Sequence, residues 1–306
     1  MTRLDQIGED RLVARLTARL PRHPQLRVGP GDDCAVLGNA ADRRWSLLKT
    51  DAVVEGVHFT KETDLRRVGW KALARAVSDI AAMGGIPEHA LITVALPPSM
   101  AVAEVEALYA GLTRCAEAFG ISIAGGETTR SPAQHGGPGP LFVSITLTGS
   151  VEASRCILRS GGRPGDLLLV TGTLGGSLAG KHLDFHPRLA EARWLTRHFR
   201  LRAMMDLSDG LASDLPRLAA ASRCGYEITA PLPTLPGTSQ EAAWQDGEDF
   251  ELLFALAPGE ARRLLKTWPF ASLALTEIGR LTPPPSPTHG RDDRPLLHGF
   301  DPFSPP

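Results

Sequence analysis

The sequence predicts an α/β protein in two parts. Segments with strand character alternate with segments at helical spacing through both halves. A polar turn, Arg159-Ser160-Gly161-Gly162-Arg163-Pro164-Gly165-Asp166, falls in a boundary region near residues 149–165. The chain has 306 residues, enough for two domains of ordinary size. We place the first at 1–150 and the second at 151–306.

Residues 4–20 carry Leu4, Ile7, Leu12, Leu16 and Leu20 at helical spacing, and Pro21 stops the pattern. Trp45 to Val54 reads as a strand. Residues 66–83 read as a helix with Val68, Ala72, Ala76 and Ile80 along one side. Asp79 lies late in that helix among small and apolar residues, where an unpaired charge is expensive. Ala90 to Leu96 is a second strand, and 102–119 a second helix. Ile121 to Ala124 is a short strand that runs into a Gly125-Gly126 turn. Residues 141–149 alternate, with Leu141, Val143, Ile145 and Leu147 on one face. In the second half, Leu167 to Thr171 is a buried strand. A Gly-rich turn and a helix follow, then a strand at 203–207 and a helix at 211–222. Residues 130–140 form a Gly/Pro-rich loop. From Pro283 onward the Pro-rich tail is expected to be irregular.

Composition narrows the function. Hydrophobic residues are 42% and charged residues 22%, as in ordinary soluble globular proteins. The formal net charge of −1 argues against nucleic acid or an anionic membrane as partner. No apolar run approaches the roughly 20 residues of a membrane helix. The N-terminus has no apolar signal segment. Cys34, Cys115, Cys156 and Cys224 form no C-x-x-C pair, so a zinc knuckle is not expected and a cytoplasmic setting is.

Acidic residues recur beside glycines and at predicted segment ends. They are Gly31-Asp32-Asp33, Thr50-Asp51, Ser78-Asp79, Gly125-Gly126-Glu127-Thr128 and Asp206-Leu207-Ser208-Asp209-Gly210. Any one of them can be a turn or a cap. As a set they can converge, and two like charges about 4 Å apart cost roughly 4 kcal/mol at an effective dielectric of about 20. Cations relieve that cost. Hard oxygen ligands suit Mg²⁺, which keeps waters and bridges to phosphates. The expected class is a metal-dependent phosphate enzyme.

Three further stretches have competing readings. Gly175-Gly176-Ser177-Leu178-Ala179-Gly180-Lys181-His182 nearly matches a P-loop, but His182 stands where a hydroxyl is needed, so a tight strand-to-helix turn is expected. Gly247-Glu248-Asp249-Phe250-Glu251 is either a substrate contact or a solvated turn before a strand. His58 alone reads more readily as a structural histidine than a catalyst.

Taken in order, these stretches resemble the thiamine-monophosphate kinases of the aminoimidazole-ribonucleotide-synthetase-like superfamily. The resemblance runs from about residue 5 to 303. Thr50-Asp51-Ala52-Val53-Val54-Glu55-Gly56-Val57-His58-Phe59 together with Asp206-Leu207-Ser208-Asp209-Gly210-Leu211 makes it specific. It implies a PurM-like fold, with an N-terminal mixed-sheet α/β domain and a C-terminal α/β domain. It implies ATP-dependent phosphorylation of thiamine monophosphate by a homodimer. By resemblance, Asp32, Thr50, Asp51, Asp79, Glu127, Asp206 and Asp209 gather several Mg²⁺ ions. Tyr109, Gly126, Glu127, Arg159 and Ser208 contact ATP, and His58, Glu248 and Phe300 meet the thiamine phosphate. The acceptor phosphate is already ionised, so no general base is required. Glu127 stands where the family commonly has Asp, Gly176 replaces an acidic residue and Asp246 a glycine. Aminoimidazole-ribonucleotide synthetase remains the enzymatic alternative, and a catalytically inactive nucleotide-binding module the non-enzymatic one.

Overall fold

The computed structural model describes residues 3–133, 137–284 and 299–303. The Pro-rich tail read from Pro283 onward lies mostly outside the described residues, as does part of loop 130–140. The first half runs α1 (Gly8–Thr17), β1 (Leu26–Val28), β2 (Ala35–Leu37), β3 (Arg44–Val54), α2 (Leu65–Ala82), β4 (Ile86–Leu96), α3 (Val102–Phe119), β5 (Ser122–Arg130) and β6 (Phe142–Glu152). Its six strands form one sheet in the order β1-β2-β3-β6-β4-β5. Only β4 and β5 pair in parallel, so the sheet is mixed.

Helices α2 and α3 cover one face of this sheet. Val143, Ile145 and Leu147 of β6 point into that core with Leu73, Ile80 and Leu112. The two helices touch at glycines: a Cβ at Gly69 would collide with the Leu108 carbonyl, and one at Gly111 with that of Arg66. Asp64 caps α2, its side chain accepting from the Arg66 amide at 2.9 Å. The opposite face of the sheet is open and leaves Leu48 40% and Leu91 50% exposed.

The second half runs β7 (Leu167–Thr171), α4 (Lys181–Asp184), α5 (Leu189–His198), β8 (Ala203–Asp206), α6 (Leu211–Ala221), β9 (Gly225–Ile228), α7 (Gln240–Gln245), β10 (Leu252–Leu256), α8 (Pro258–Thr267) and β11 (Leu275–Thr282). The sheet order is β8-β10-β7-β11-β9, with every pairing antiparallel. One face packs on α6 and α7, and the other on α5, α8 and the end of α2 through Ala81 and Ala82. Strands covered on both faces read as unbroken apolar runs. The chain therefore has a two-domain α/β architecture with mixed pairing in its first sheet.

Two expectations are corrected. The helix over 4–20 is shorter, a 3₁₀ turn at Leu4–Gln6 and then α1, and it buries no residue. Leu16 and Leu20 are 65% and 53% exposed, since no element among the described residues covers that side. Gly125-Gly126 is not a turn. The strand continues through both glycines to Arg130, because β4 offers a continuous parallel partner with one register shift at Ala90/Leu91.

Candidate active site

One side of α2 organises the site. Lys71, Arg75 and Asp79 are four residues apart, so they stack along one helix face. Ser78 and Asp79 lie towards the C-terminal end of that face.

At that end, Asp79 meets Asp33 from the loop before β2 and Asp206 from the end of β8. All three are buried, and their carboxylate oxygens lie within 4.8 Å of one another. Lys49 of β3 donates to Asp79 at 2.6 Å. Ser78 Oγ donates to Asp206, and Arg159 donates to Asp33 at 2.6 and 3.1 Å. Asp33 Oδ2 is buried without a partner. A buried carboxylate oxygen without a partner, on a residue that converges with two other acids, fits a hard divalent cation such as Mg²⁺. Burial first, and the charge of Asp33 second, pushes Asp206 up to about 6 and Asp32 up to about 7. Burial likewise drives Asp79 well above the usual carboxylate range, against the pull of Lys49.

At the other end, Lys71 is fully buried. Its ammonium has three donors and three acceptors in reach: the His58 carbonyl at 2.6 Å, Glu248 at 2.6 Å and His182 Nδ1 at 2.7 Å. His182 Nδ1 also lies 2.8 Å from Glu248, where it donates in the other tautomer. Arg75 links the two ends. It donates to Glu248 at 3.0 Å and to Asp51 at 3.2 Å. Burial pushes Glu248 up, but the neighbouring His182, Lys71 and Arg75 outweigh it and hold the carboxyl down at about 2. Burial lowers Lys71 to about 8, helped by the repulsion of Arg75 and against the pull of Glu248. Burial and the charge of Arg75 lower His58 to about 4, so its ring is neutral at pH 7. Its Nδ1 accepts from the Val54 amide at 3.1 Å, which leaves the proton on Nε2.

The loop bearing Glu248 is tightly held. Glu248 and Phe250 both have left-handed backbones, φ 62° and 51°, uncommon for side chains of this size. Ser177 Oγ donates to the Glu248 carbonyl and the Glu248 amide donates to the Ser208 carbonyl at 2.7 Å. Phe250 stacks on Phe185 at 3.9 Å between centroids. The reading of this loop as a solvated turn is therefore overturned. The near P-loop is a turn whose amides already serve protein carboxylates: Gly175 donates to Asp249 and Gly176 to Asp246. His182 takes part in the Lys71 network instead.

The remaining sequence-predicted residues are spread more widely. Asp32 accepts from the Arg159 amide at 3.2 Å. Asp209 pairs with Arg217, which also holds Asp214 and Asp10. Neither Ser208 nor Asp209 caps α6, whose N-cap is Gly210. Thr50 lies on the open sheet face, opposite to Asp51, as strand alternation requires. Gly126 and Glu127 are exposed on edge strand β5, in register with Ile92 and Thr93. Tyr109 is partly buried against the first core. Phe300 is 43% exposed, and its amide donates to the Asp209 carbonyl. Sequence reasoning left Asp33, Lys49, Lys71, Arg75 and His182 unassigned. The fourfold spacing of Lys71, Arg75 and Asp79 among small and apolar residues was the available signal.

Comparison with known proteins gives a consistent result. The model of the AIR synthase related protein N-terminal domain matches residues 31–151, and that of the C-terminal domain residues 163–290. The thiamine-monophosphate kinase of Rhodopirellula baltica is 39% identical over 294 residues, covering 89% of each chain. That of Bacillus subtilis is 33% identical over 298 residues, covering 88% of this chain and 89% of its own. The solved structure of AaThiL complexed with AMPPCP and TMP superposes with a TM-score of 0.82 at 30% identity, over 98% of this chain and 99% of that one. With both halves matched and relatives above 30% identity over most of its length, this chain belongs to the thiamine-monophosphate kinase family of AIR synthase related proteins.

Proposed function

We propose that this chain transfers the γ-phosphoryl group of ATP to the phosphate of thiamine monophosphate, giving thiamine diphosphate and ADP. The observation that carries this is the pairing, along one face of α2, of an acidic centre with an orphaned carboxylate oxygen and a basic network around Glu248. Family membership and the ligands named for AaThiL support the same reading.

Asp33, Asp79 and Asp206 would hold a divalent cation, with Asp32, Asp51 and Asp209 nearby candidates for further ions. Bound Mg²⁺ supplies charge neutralisation between two phosphates. The protein's own part is positioning. Glu248 is fixed by Lys71, Arg75 and His182, and can accept a hydrogen bond from the acceptor. His58 presents Nε2–H as a neutral donor. Arg159, Ser208 and Gly126 are assigned to the nucleotide, Phe300 to the thiamine ring, and Thr50 and Glu127 to outer metal contacts. We assign residues 1–150 to nucleotide, metal and subunit contacts, and 151–306 to the covering α/β domain. The open sheet face with Leu48 and Leu91 is the proposed homodimer surface. A cytoplasmic setting belongs to the same proposal, because the reaction consumes ATP. Among the described residues no helix is long and apolar enough to cross a membrane.

The test is ADP release by purified protein with Mg-ATP. Release is expected with thiamine monophosphate and not with thiamine or aminoimidazole-ribonucleotide precursors. Release that is independent of thiamine monophosphate would sink the proposal.

A further inference from the structure

Lys49 stands out because it is a cation inside the acidic centre. It projects from β3 on the covered face of the first sheet, and its side chain is only 21% exposed. Its Nζ lies 2.6 Å from Asp79 Oδ1, and Asp51 is two residues along the same strand face. Asp79 is also one of the three convergent carboxylates. Arg159 likewise pairs with Asp33 of the convergent set, and Arg75 with Asp51 beside it. Among the described residues Lys49 is the cation bonded to Asp79, while the unpartnered oxygen at this end belongs to Asp33. The chain itself therefore supplies one cation to Asp79 and another to Asp33, and leaves one Asp33 oxygen without a partner among the described residues.

We propose that Lys49 is a fixed cation of the phosphate-transfer centre, occupying through its ammonium group a place beside Asp79 that a divalent ion would otherwise fill. The chain then requires one fewer divalent ion than the same carboxylates would without the lysine. This rests on the kinase reading for the role of the centre, but not for the ion count. Lys49 is a positioning residue: it fixes Asp79, whose second oxygen remains available to an ion shared with Asp33 and Asp206. An ammonium group is a compact point charge with three donors, so it neutralises carboxylates through hydrogen bonds, without the direct coordination of several oxygens that Mg²⁺ provides.

The experiment counts ions without turnover. Mn²⁺ bound per chain is measured by equilibrium dialysis with a non-hydrolysable ATP analogue, for wild type, Lys49→Ala and Lys49→Met. Lys49→Ala opens the space and removes the charge, so it is expected to bind one more Mn²⁺. Lys49→Met removes the charge but fills most of the volume, so its count is expected to match wild type. Thermal unfolding gives a second readout. Lys49→Ala is expected to melt below wild type in chelator and to gain a larger upward shift from Mn²⁺. A gain of an ion in both variants would assign the effect to charge rather than space, and would still support Lys49 as the substitute cation. Equal counts in wild type and Lys49→Ala, with equal Mn²⁺ shifts, would overturn it. Wild type that binds Mn²⁺ but releases no ADP would instead remove the kinase reading and leave the ion count standing.

Discussion

The two ends of helix α2 hold carboxylates in opposite electrostatic states. Around Asp79, three acids converge and one oxygen of Asp33 has no partner. Around Lys71, the single carboxylate of Glu248 is met by an ammonium, a guanidinium and an imidazole. Burial is severe at both ends, yet Asp206 rises to about 6 while Glu248 falls to about 2. Burial prevails at Asp206, whereas at Glu248 the His182 hydrogen bond and the charges of Lys71 and Arg75 outweigh it. Among the described residues, one end leaves a carboxylate oxygen without a partner, and the other pairs its carboxylate with three side chains.

Breaking the Asp79 end is expected to give the largest effect. Asp79→Asn removes the charge that anchors both Lys49 and the shared cation. Turnover should fall about 10²- to 10³-fold, as for loss of one transition-state stabilising group, with the folded state retained by circular dichroism. Near-normal turnover at saturating Mg²⁺ would return Asp79 to a structural role.

Breaking the Glu248 end should act on the fold first. Glu248→Gln leaves Lys71 charged and buried without its anion. Removing one partner of a buried ion pair costs about 3 kcal/mol or more, which urea unfolding would read directly. KM for thiamine monophosphate should rise as well. A loss below about 0.5 kcal/mol, the range of ordinary surface substitutions, would show that the Lys71 network carries no net stability.

The smallest effect sharpens the comparison through pH. In metal-free protein, Asp206 and Asp32 have folded pKa values of about 6 and about 7, above the ordinary 3.8. The folded state then holds protons that the unfolded chain releases. Their contribution is fully present below about pH 4 and is lost as pH rises through 6 to 7. Glu248 has the opposite sign: its contribution is present above its ordinary 4.5 and is lost towards about 2, so it is constant between pH 5 and 8. His58, held at about 4 against its ordinary 6.5, works the other way up to pH 6.5, so the melting temperature in chelator should fall by several degrees from pH 6.5 to pH 8, and Mg²⁺ should abolish the fall. A flat profile in chelator would mean the acids are already neutralised by the protein.

Much of the architecture was legible, for reasons that differ between the sheets. Strands β7, β8 and β10 are buried on both faces, so they appear as the apolar runs Leu167–Thr171, Ala203–Asp206 and Leu252–Leu256. Strand β6 has one covered face, so it alternates. Strand β9 and the bulged β11 carry exposed charges such as Glu227 and Arg280, and neither pattern reports them. In the site, the acids announced themselves beside glycines and hydroxyls. Their counter-charges did not. Lys71 meets Glu248 across 177 positions of sequence, and nothing local to either residue states that distance. The fate of Thr50 was partly readable, since adjacent residues of one strand must face opposite ways.

Helix α2 also constrains how this protein can be inherited. It is encoded before residue 150, yet Ala81 and Ala82 pack with Leu169, Leu195 and Phe254 of the later half. The Lys71 ammonium is held by His58 from one half and by His182 and Glu248 from the other. A chimaera joined in the polar turn near residue 160 would cut the chain where it looks most separable, and would still divide this network between two parents. Exchange between relatives is therefore expected to succeed only when the residues facing Lys71 travel together or already match. The seam visible in the sequence is a weld in three dimensions.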